Sequence, residues 1–407
     1  VAAPAPLAFL PDLFEEHVDE LGFLRLQRRT AVDDPERTWR SLCDLDGRLE
    51  AHVAGVLAIG PHMPPRLRPA LGGPDPRRAF AAALALVRAR DVDGTRTLLD
   101  LLPTVEPDIF DALVDALAMA APTALVAHLV PLVRTDDLPR AAPLLEAIVR
   151  RGGTLPERPP IEALLAHDAP AVRVTGWRLA AHRGTAVADP TVERGLADAD
   201  PAVRRAAVDA AIWLRTPWLL DAARTAAARP TPEALPLLGA LALLGPAEDH
   251  GRIAHAAATA SLGPDRFDLA RQVGTPDMVE RCIAAMTPDD PTAAAAAGLA
   301  FQRITGESVR GTTRVALVPP GADAFAAAFA DEVMLPDPVE ARRRWTRIRR
   351  GVADGAPLAH GIPVDAPVDR ETLGRFDVIA RRERYQRARW LGLWGDSPFT
   401  LDAFPQR

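Results

Sequence analysis

The chain of 407 residues has no lysine, no asparagine, a single tyrosine and only two cysteines, Cys43 and Cys282. Two thiols cannot build a disulfide framework or a four-cysteine zinc site. Without lysine there is no Gly-Lys-Ser/Thr phosphate loop, and no Gly-x-Ser-x-Gly elbow occurs either. Aromatics make up 5% of residues, so the apolar mass is alanine, leucine and valine, which favours close helix packing over a β-sandwich. No apolar run reaches the ~18 residues of a membrane span; the best, Ala234 to Ala247, is broken by Pro236 and Pro246. Val1 to Leu10 carries no positive leader ahead of its apolar stretch, which reads against a secretory signal and for a cytoplasmic chain.

What is present is a chain rich enough in apolar residues to fold, 48% hydrophobic and 25% charged, with a formal net charge of −6. All 48 basic residues are arginine. Replacement of every lysine and asparagine points to a compositional bias of the genome, so arginine enrichment alone says little about phosphate binding. The acidic balance argues against a dedicated nucleic-acid binder.

The prolines reveal the organisation. Pro76, Pro107, Pro139, Pro170, Pro201, Pro232 and Pro264 follow one another at intervals of 31 or 32 residues, with a shifted copy at Pro291. Six residues after each of the seven stand Ala82, Leu113, Leu145, Gly176, Ala207, Leu238 and Ala270. Nine after stand Ala85, Ala116, Ile148, Leu179, Ala210, Leu241 and Val273. The columns at five and ten are also small or apolar, Thr175 excepted. These offsets trace one stripe of an α-helix. Proline suits the first helical position, where a missing N–H costs nothing, and Asp75, Asp200 and Thr231 precede three of the prolines as expected caps. A second helix fits each remaining interval, for example Val92–Leu102, Thr123–Val133, Trp218–Ala228 and Met278–Met286. Helix pairs of this length must stack, because a lone pair leaves an apolar face wet.

Ala169-Pro170-Ala171-Val172-Arg173 and Asp200-Pro201-Ala202-Val203-Arg204 resemble the HEAT repeat. The resemblance implies that the aspartate caps, the proline opens the first helix and the arginine reaches a neighbouring repeat. Glu106, Leu138 and Gly263 depart from the motif. The expected architecture is all-α, an α-solenoid of HEAT-like helix-turn-helix repeats over residues 71–306, with helical caps at 1–70 and 307–407.

In the N-terminal cap, two helices over residues 7–60 place Leu42, Leu45, Leu49, Val53 and Val56 on one face, with Asp44 and Arg48 as a supporting pair. Residues 307–340 read as a loop, with Val315–Val318 as a short extended piece. Beyond it lie two arginine-rich helices. One carries Arg342, Arg343, Arg344, Trp345, Arg347, Arg349 and Arg350. The other, Glu371–Leu393, carries Arg381, Arg382, Arg384, Tyr385, Arg387 and Arg389, with Trp390 and Trp394 close by.

Among the nine histidines, His52 with His62, His167 with His182 and His250 with His255 lack the spacing of a zinc-protease helix. The carboxylate pairs Asp136-Asp137 and Asp289-Asp290 read as turn residues, Cys43 and Cys282 as small apolar helix residues, and Trp213 and Trp218 as packing residues flanking one turn. No catalytic residue, cofactor site or metal site is expected. The candidate partner-binding residues are Arg342, Arg343, Trp345, Arg347, Arg350, Arg381, Arg384, Tyr385 and Trp218, since arginine beside aromatics suits either an acidic partner or a polyanion.

The segment Leu42-Cys43-Asp44-Leu45-Asp46-Gly47-Arg48-Leu49-Glu50-Ala51-His52-Val53-Ala54-Gly55 resembles the opening motif of a bacterial HEAT-repeat family encoded near type VI secretion and polymorphic-toxin genes. The resemblance continues through Phe301-Gln302-Arg303-Ile304-Thr305-Gly306 and Leu335-Pro336-Asp337-Pro338 to Arg381–Leu393. It implies an accessory adaptor, in contact with a secretion effector or spike-associated protein, and supplies no catalytic residue. The alternative expectation is a HEAT-like nucleic-acid-binding or DNA-repair protein, against which the sparsely charged second helices argue.

Overall fold

The computed structural model describes residues 11–392, except 35, 185, 319, 320, 322, 324, 326–329, 331, 353, 354, 365 and 367–369. Val1 to Leu10, Leu393 and Trp394 lie outside the described residues.

The chain is all-α. Its helices are α1 Pro11–Asp33, α2 Trp39–Leu57, α3 Met63–Leu67, α4 Pro76–Arg88, α5 Val92–Leu101, α6 Pro107–Ala120, α7 Thr123–Val126, α8 Leu138–Arg150, α9 Ile161–Leu165, α10 Pro170–Arg183 and α11 Asp189–Leu196. There follow α12 Pro201–Trp213, α13 Leu219–Ala227, α14 Leu235–Leu244, α15 His250–Ala257, α16 Arg266–Val273, α17 Pro276–Ala285, α18 Pro291–Thr305, α19 Pro338–Ile348, α20 Arg370–Gly374 and α21 Val378–Trp390. Two small antiparallel ribbons interrupt the last part: β1 Arg310–Ala316 with β2 Glu332–Pro336, and β3 Leu358–Ala359 with β4 Ile362–Pro363. No described helix is long and apolar enough to cross a membrane.

The chain divides into two units, residues to Thr191 with Asp377–Ile379, and Val192–Phe376 with the run from Ala380. Each is a HEAT-like solenoid stack. In the first unit α4 packs on α6, α6 on α8 and α8 on α10; in the second α12 packs on α14, α14 on α16 and α16 on α18. The columns six, nine and ten residues after the prolines are buried throughout, because the small and aliphatic residues of that stripe let neighbouring helices approach.

The prolines act largely as expected. Pro76, Pro107, Pro170, Pro201 and Pro291 open their helices. Asp75 accepts from Arg77 N at 2.9 Å and Asp200 from Ala202 N at 2.8 Å. Two further aspartates cap where the sequence reading saw only turns: Asp137, one residue before the departure at Leu138, and Asp290. Thr231 makes no cap hydrogen bond, since Pro232 opens a short 3₁₀ turn and the α-helix proper starts at Leu235. The second helices are shorter than expected in places. The interval Thr123–Val133 holds four residues of α-helix and a separate 3₁₀ turn at Val130–Leu132, with Pro131 at its centre.

The motif arginines Arg173 and Arg204 turn back on their own linkers. Arg173 donates to the carbonyls of His167 and Asp168 at 2.8 and 2.7 Å, and Arg204 to those of Asp198 and Ala199 at 2.7 and 2.9 Å. Arg151 reaches the previous repeat, at the Ala121 carbonyl at 2.7 Å, and Arg140 reaches farther back, to the Leu102 and Val105 carbonyls ahead of α6.

A polar ladder runs beside the apolar stripe, seven or eight residues after the repeat prolines. Asp115 on α6 takes Arg25 of α1 at 2.7 Å, and Glu146 on α8 takes Arg178 of α10 at 3.1 Å. In the second unit, Asp209 on α12 accepts from Gln386 and Gln272 on α16 donates to Glu383, both at 2.8 Å. The helix α1 thus lies on α4 and α6, where Arg78 also pairs with Glu15 and Asp19. Arg48 pairs with Glu20 across α1 and α2 at 3.9 Å, not with Asp44 four residues away.

The segment expected as a loop, 307–340, carries the β1–β2 ribbon. Val315 pairs Val333 and Arg314 pairs Met334, with an irregularity between Arg310 and Arg314. The β-branched Thr312, Thr313, Val315 and Val333 favour extended backbone. The β3 strand closes the ends of two first helices: Leu358 N donates to the Gly274 carbonyl at 2.9 Å and His360 N to that of Arg303 at 2.6 Å. Gly274 adopts φ +66°, and a Cβ there would collide with the Leu358 carbonyl.

Candidate protein-binding surface

The helix α19 starts where Asp337 accepts from Val339 N and Glu340 N at 2.8 and 3.1 Å, with Pro338 at its first position. Ala341 and Trp345, four residues apart, face inward and are buried against α17 and α18. This corrects one expected contact residue: Trp345 is 2% exposed and belongs to the core. Its indole Nε1–H donates to Glu280 Oε1 at 2.9 Å. Apolar residues at two inward positions leave the remaining faces to arginine.

Those arginines are organised by three carboxylates. Glu280 stands 3.8 Å from Arg342 and 3.7 Å from Arg349. Glu307 pairs with Arg344 and, at 3.0 Å, with Arg347. Glu340 holds Arg343 and Arg344, both at 2.7 Å. Hydrogen bonds from Arg343 and Arg344 pull the Glu340 carboxyl down to about 2. Three carboxylates cannot neutralise the five guanidinium groups they contact, so this face keeps a positive excess. Arg350 follows in a 3₁₀ turn and is exposed. Beside the arginines, Val339 is 76% exposed. Pro338, Val339, Arg342, Arg343 and Thr346 line a shallow depression of about 330 Å³.

The other candidate residues sit elsewhere. Arg381, Arg384 and Tyr385 lie on α21, where Arg381 donates to the Tyr385 hydroxyl at 3.4 Å and Arg384 to the Ala366 carbonyl. Trp218 is the residue before α13, half-buried, with its indole N–H buried and unpaired. Trp213, one turn earlier, is buried, and Arg389 lies over its ring at 5.4 Å.

Sequence reasoning missed the seam under α21. Glu383 receives Arg271 through both terminal nitrogens, at 2.5 and 2.7 Å, as well as Gln272. Burial pushes the Glu383 carboxyl up, but the charge and hydrogen bonds of Arg271, with Arg303 and Gln272, outweigh it and hold it below the usual glutamate range. Only the polar residue eight positions after Pro264 hinted at this. His17 was also passed over: its Nδ1 meets His52 Nδ1 at 3.0 Å between α1 and α2. Elsewhere, burial and Arg387 lower His250, against Asp249 and Glu248. Burial pushes the Cys282 thiol up to about 12, so it is an inert core group. Among the described residues, no three histidine, cysteine or acidic side chains converge as metal ligands would.

No family model matches the chain, and no curated protein matches it. Among solved structures, the chain is similar to human deoxyhypusine hydroxylase in complex with glycerol, at 16% identity over 72% of this chain and 96% of that one, with a TM-score of 0.23. It is also similar to an engineered protein, at 13% identity over 92% of this chain and 99% of that one, with a TM-score of 0.28. The class of protein is therefore defined by the helices themselves: a HEAT-like helical-repeat protein.

Proposed function

We propose that this protein is a non-enzymatic scaffold that holds an acidic segment of another protein on the arginine face of α19. The observation that carries the reading is the shared carboxylates. Glu280, Glu307 and Glu340 fix the guanidinium groups of Arg342, Arg343, Arg344 and Arg347 in place while leaving net positive charge outward. Guanidinium groups held in advance lose less rotamer freedom on meeting a carboxylate. The exposed Val339 adds an apolar anchor beside them. A place beside type VI secretion or toxin delivery is supported by the sequence resemblance alone.

The test is affinity capture from the native host with the full chain and a charge-reversed form, Arg342→Glu, Arg343→Glu, Arg347→Glu and Arg350→Glu. The reading expects one or a few proteins with acidic segments to be retained by the natural chain and lost by the variant, with unchanged circular dichroism. Equal retention by both would end it. A parallel anisotropy titration with labelled duplex DNA separates the polyanion alternative, which demands tight binding that falls steeply with salt.

A further inference from the structure

The α21 helix docks by an unusual kind of contact. Within its residues from Ala380 onward, only Ala380 and Gln386 are buried. It has no large apolar side chain in the core, whereas α19 inserts Trp345. What holds it is polar and spaced along the first helices of the second unit. Glu383 engages Arg271 and Gln272 of α16, Gln386 donates to Asp209 of α12 at 2.8 Å, and Arg387 donates to the Leu243 carbonyl of α14 at 2.7 Å. Three successive repeats are therefore read by a Glu-x-x-Gln-Arg sequence on one helix.

The seam is also incompletely satisfied. Gln272 Oε1 and Arg382 Nε are buried with no hydrogen-bond partner. Buried polar atoms left unpaired work against the contact they sit in. The Arg271–Glu383 pair, with Arg271 only 7% exposed, returns little net stability because both charges lose water when it forms, although it is selective for geometry. Small apolar burial, a costly ion pair and orphaned polar atoms together describe a helix that is recognised specifically and held weakly.

We propose that the face formed by Asp209, the Leu243 carbonyl, Arg271 and Gln272 is a helix-binding surface, and that α21 is its internal, displaceable occupant. The external ligand it fits is a partner helix with a carboxylate at one position, an amide three residues on and an arginine four residues on. While α21 is seated, such a helix is excluded. This deepens the scaffold reading but uses another surface, so loss of capture through α19 and loss of helix exchange here are separate outcomes.

The experiment uses the full chain and a fluorescein-labelled peptide with the sequence of residues 378–390. In the natural chain the peptide competes with its tethered original and binds weakly. In the chain carrying Glu383→Ala and Gln386→Ala the internal helix is released, and the peptide is expected to bind at least tenfold more tightly. Adding Arg271→Glu to that chain should abolish binding of the natural peptide and restore it for a peptide carrying Glu383→Arg. If the doubly substituted chain keeps its circular dichroism and still gains no affinity, the proposal fails. Hydrogen exchange on the natural chain gives an answer independent of substitution. Amides of 380–390 should exchange at least a hundredfold faster than those of α12 and α16, and equal protection would show α21 to be a fixed part of the fold.

Discussion

Arg25 of α1 and Asp115 of α6, 90 residues apart in sequence, meet at 2.7 Å, and the same guanidinium lies 5.4 Å over the ring of Phe80 on α4. One arginine thus ties the N-terminal helix to two successive repeats.

Removing only one partner is the costly change. Arg25 is 6% exposed, so Asp115→Ala strands a nearly buried guanidinium and should cost about 2 kcal/mol in denaturant unfolding. Arg25→Met removes the charge and keeps an apolar stem over Phe80, so it should cost less than half as much. The reverse order of these two losses would show that the pair does not organise α1.

The caps make a second contrast. Asp200→Ala deletes hydrogen bonds to Ala202 N and Val203 N and should cost about 1 kcal/mol. Thr231→Ala deletes no cap bond and should change stability by no more than about 0.3 kcal/mol, the scale of a neutral surface substitution. Equal losses in chemical denaturation would contradict the assignment of these two residues.

The Glu383 carboxyl gives stability a pH dependence of known sign. Its folded pKa lies below the ordinary glutamate value, so the folded state binds fewer protons than the unfolded state between the two values. Its contribution is fully present above an unfolded value of about 4.3 and is lost as pH falls through the folded one. Glu146 on α8 moves in the same direction: burial raises it, but Arg178, Arg150 and Thr175 bring it lower. Glu383→Gln should therefore lower Tm at pH 6, with the gap to the natural chain narrowing steadily toward pH 3. A gap that stays constant would mean that this carboxylate is not preferentially stabilised in the fold.

The sequence carried the stack because proline, cap and apolar stripe are local signals that recur. Pro201 with Asp200 fixes a helix start, and Ala207, Ala210 and Ala211 fix its buried face, whatever surrounds them. Of the β1–β2 ribbon only a short extended piece at Val315–Val318 was legible, for the opposite reason: seven residues with one irregular pairing give no period to count. The candidate surface was half legible. A dense arginine run marks a helix of high charge, but Trp345 turns inward because it stands four residues after Ala341 on the same face. Its acceptor, Glu280, lies 65 residues earlier in α17, and no local pattern announces such a pairing. Glu307 and Glu280 were invisible as arginine partners on the same grounds.

Native-state hydrogen exchange across the described residues tests the repeat stack most directly. The account expects maxima of protection on α4, α6, α8, α10, α12, α14, α16 and α18, about one per repeat. Faster exchange is expected in the short α7 and α9 and in the 3₁₀ turns, whose amides are not held in long buried helices. Protection spread evenly over first and second helices, or concentrated in the 310–336 ribbon, would contradict it.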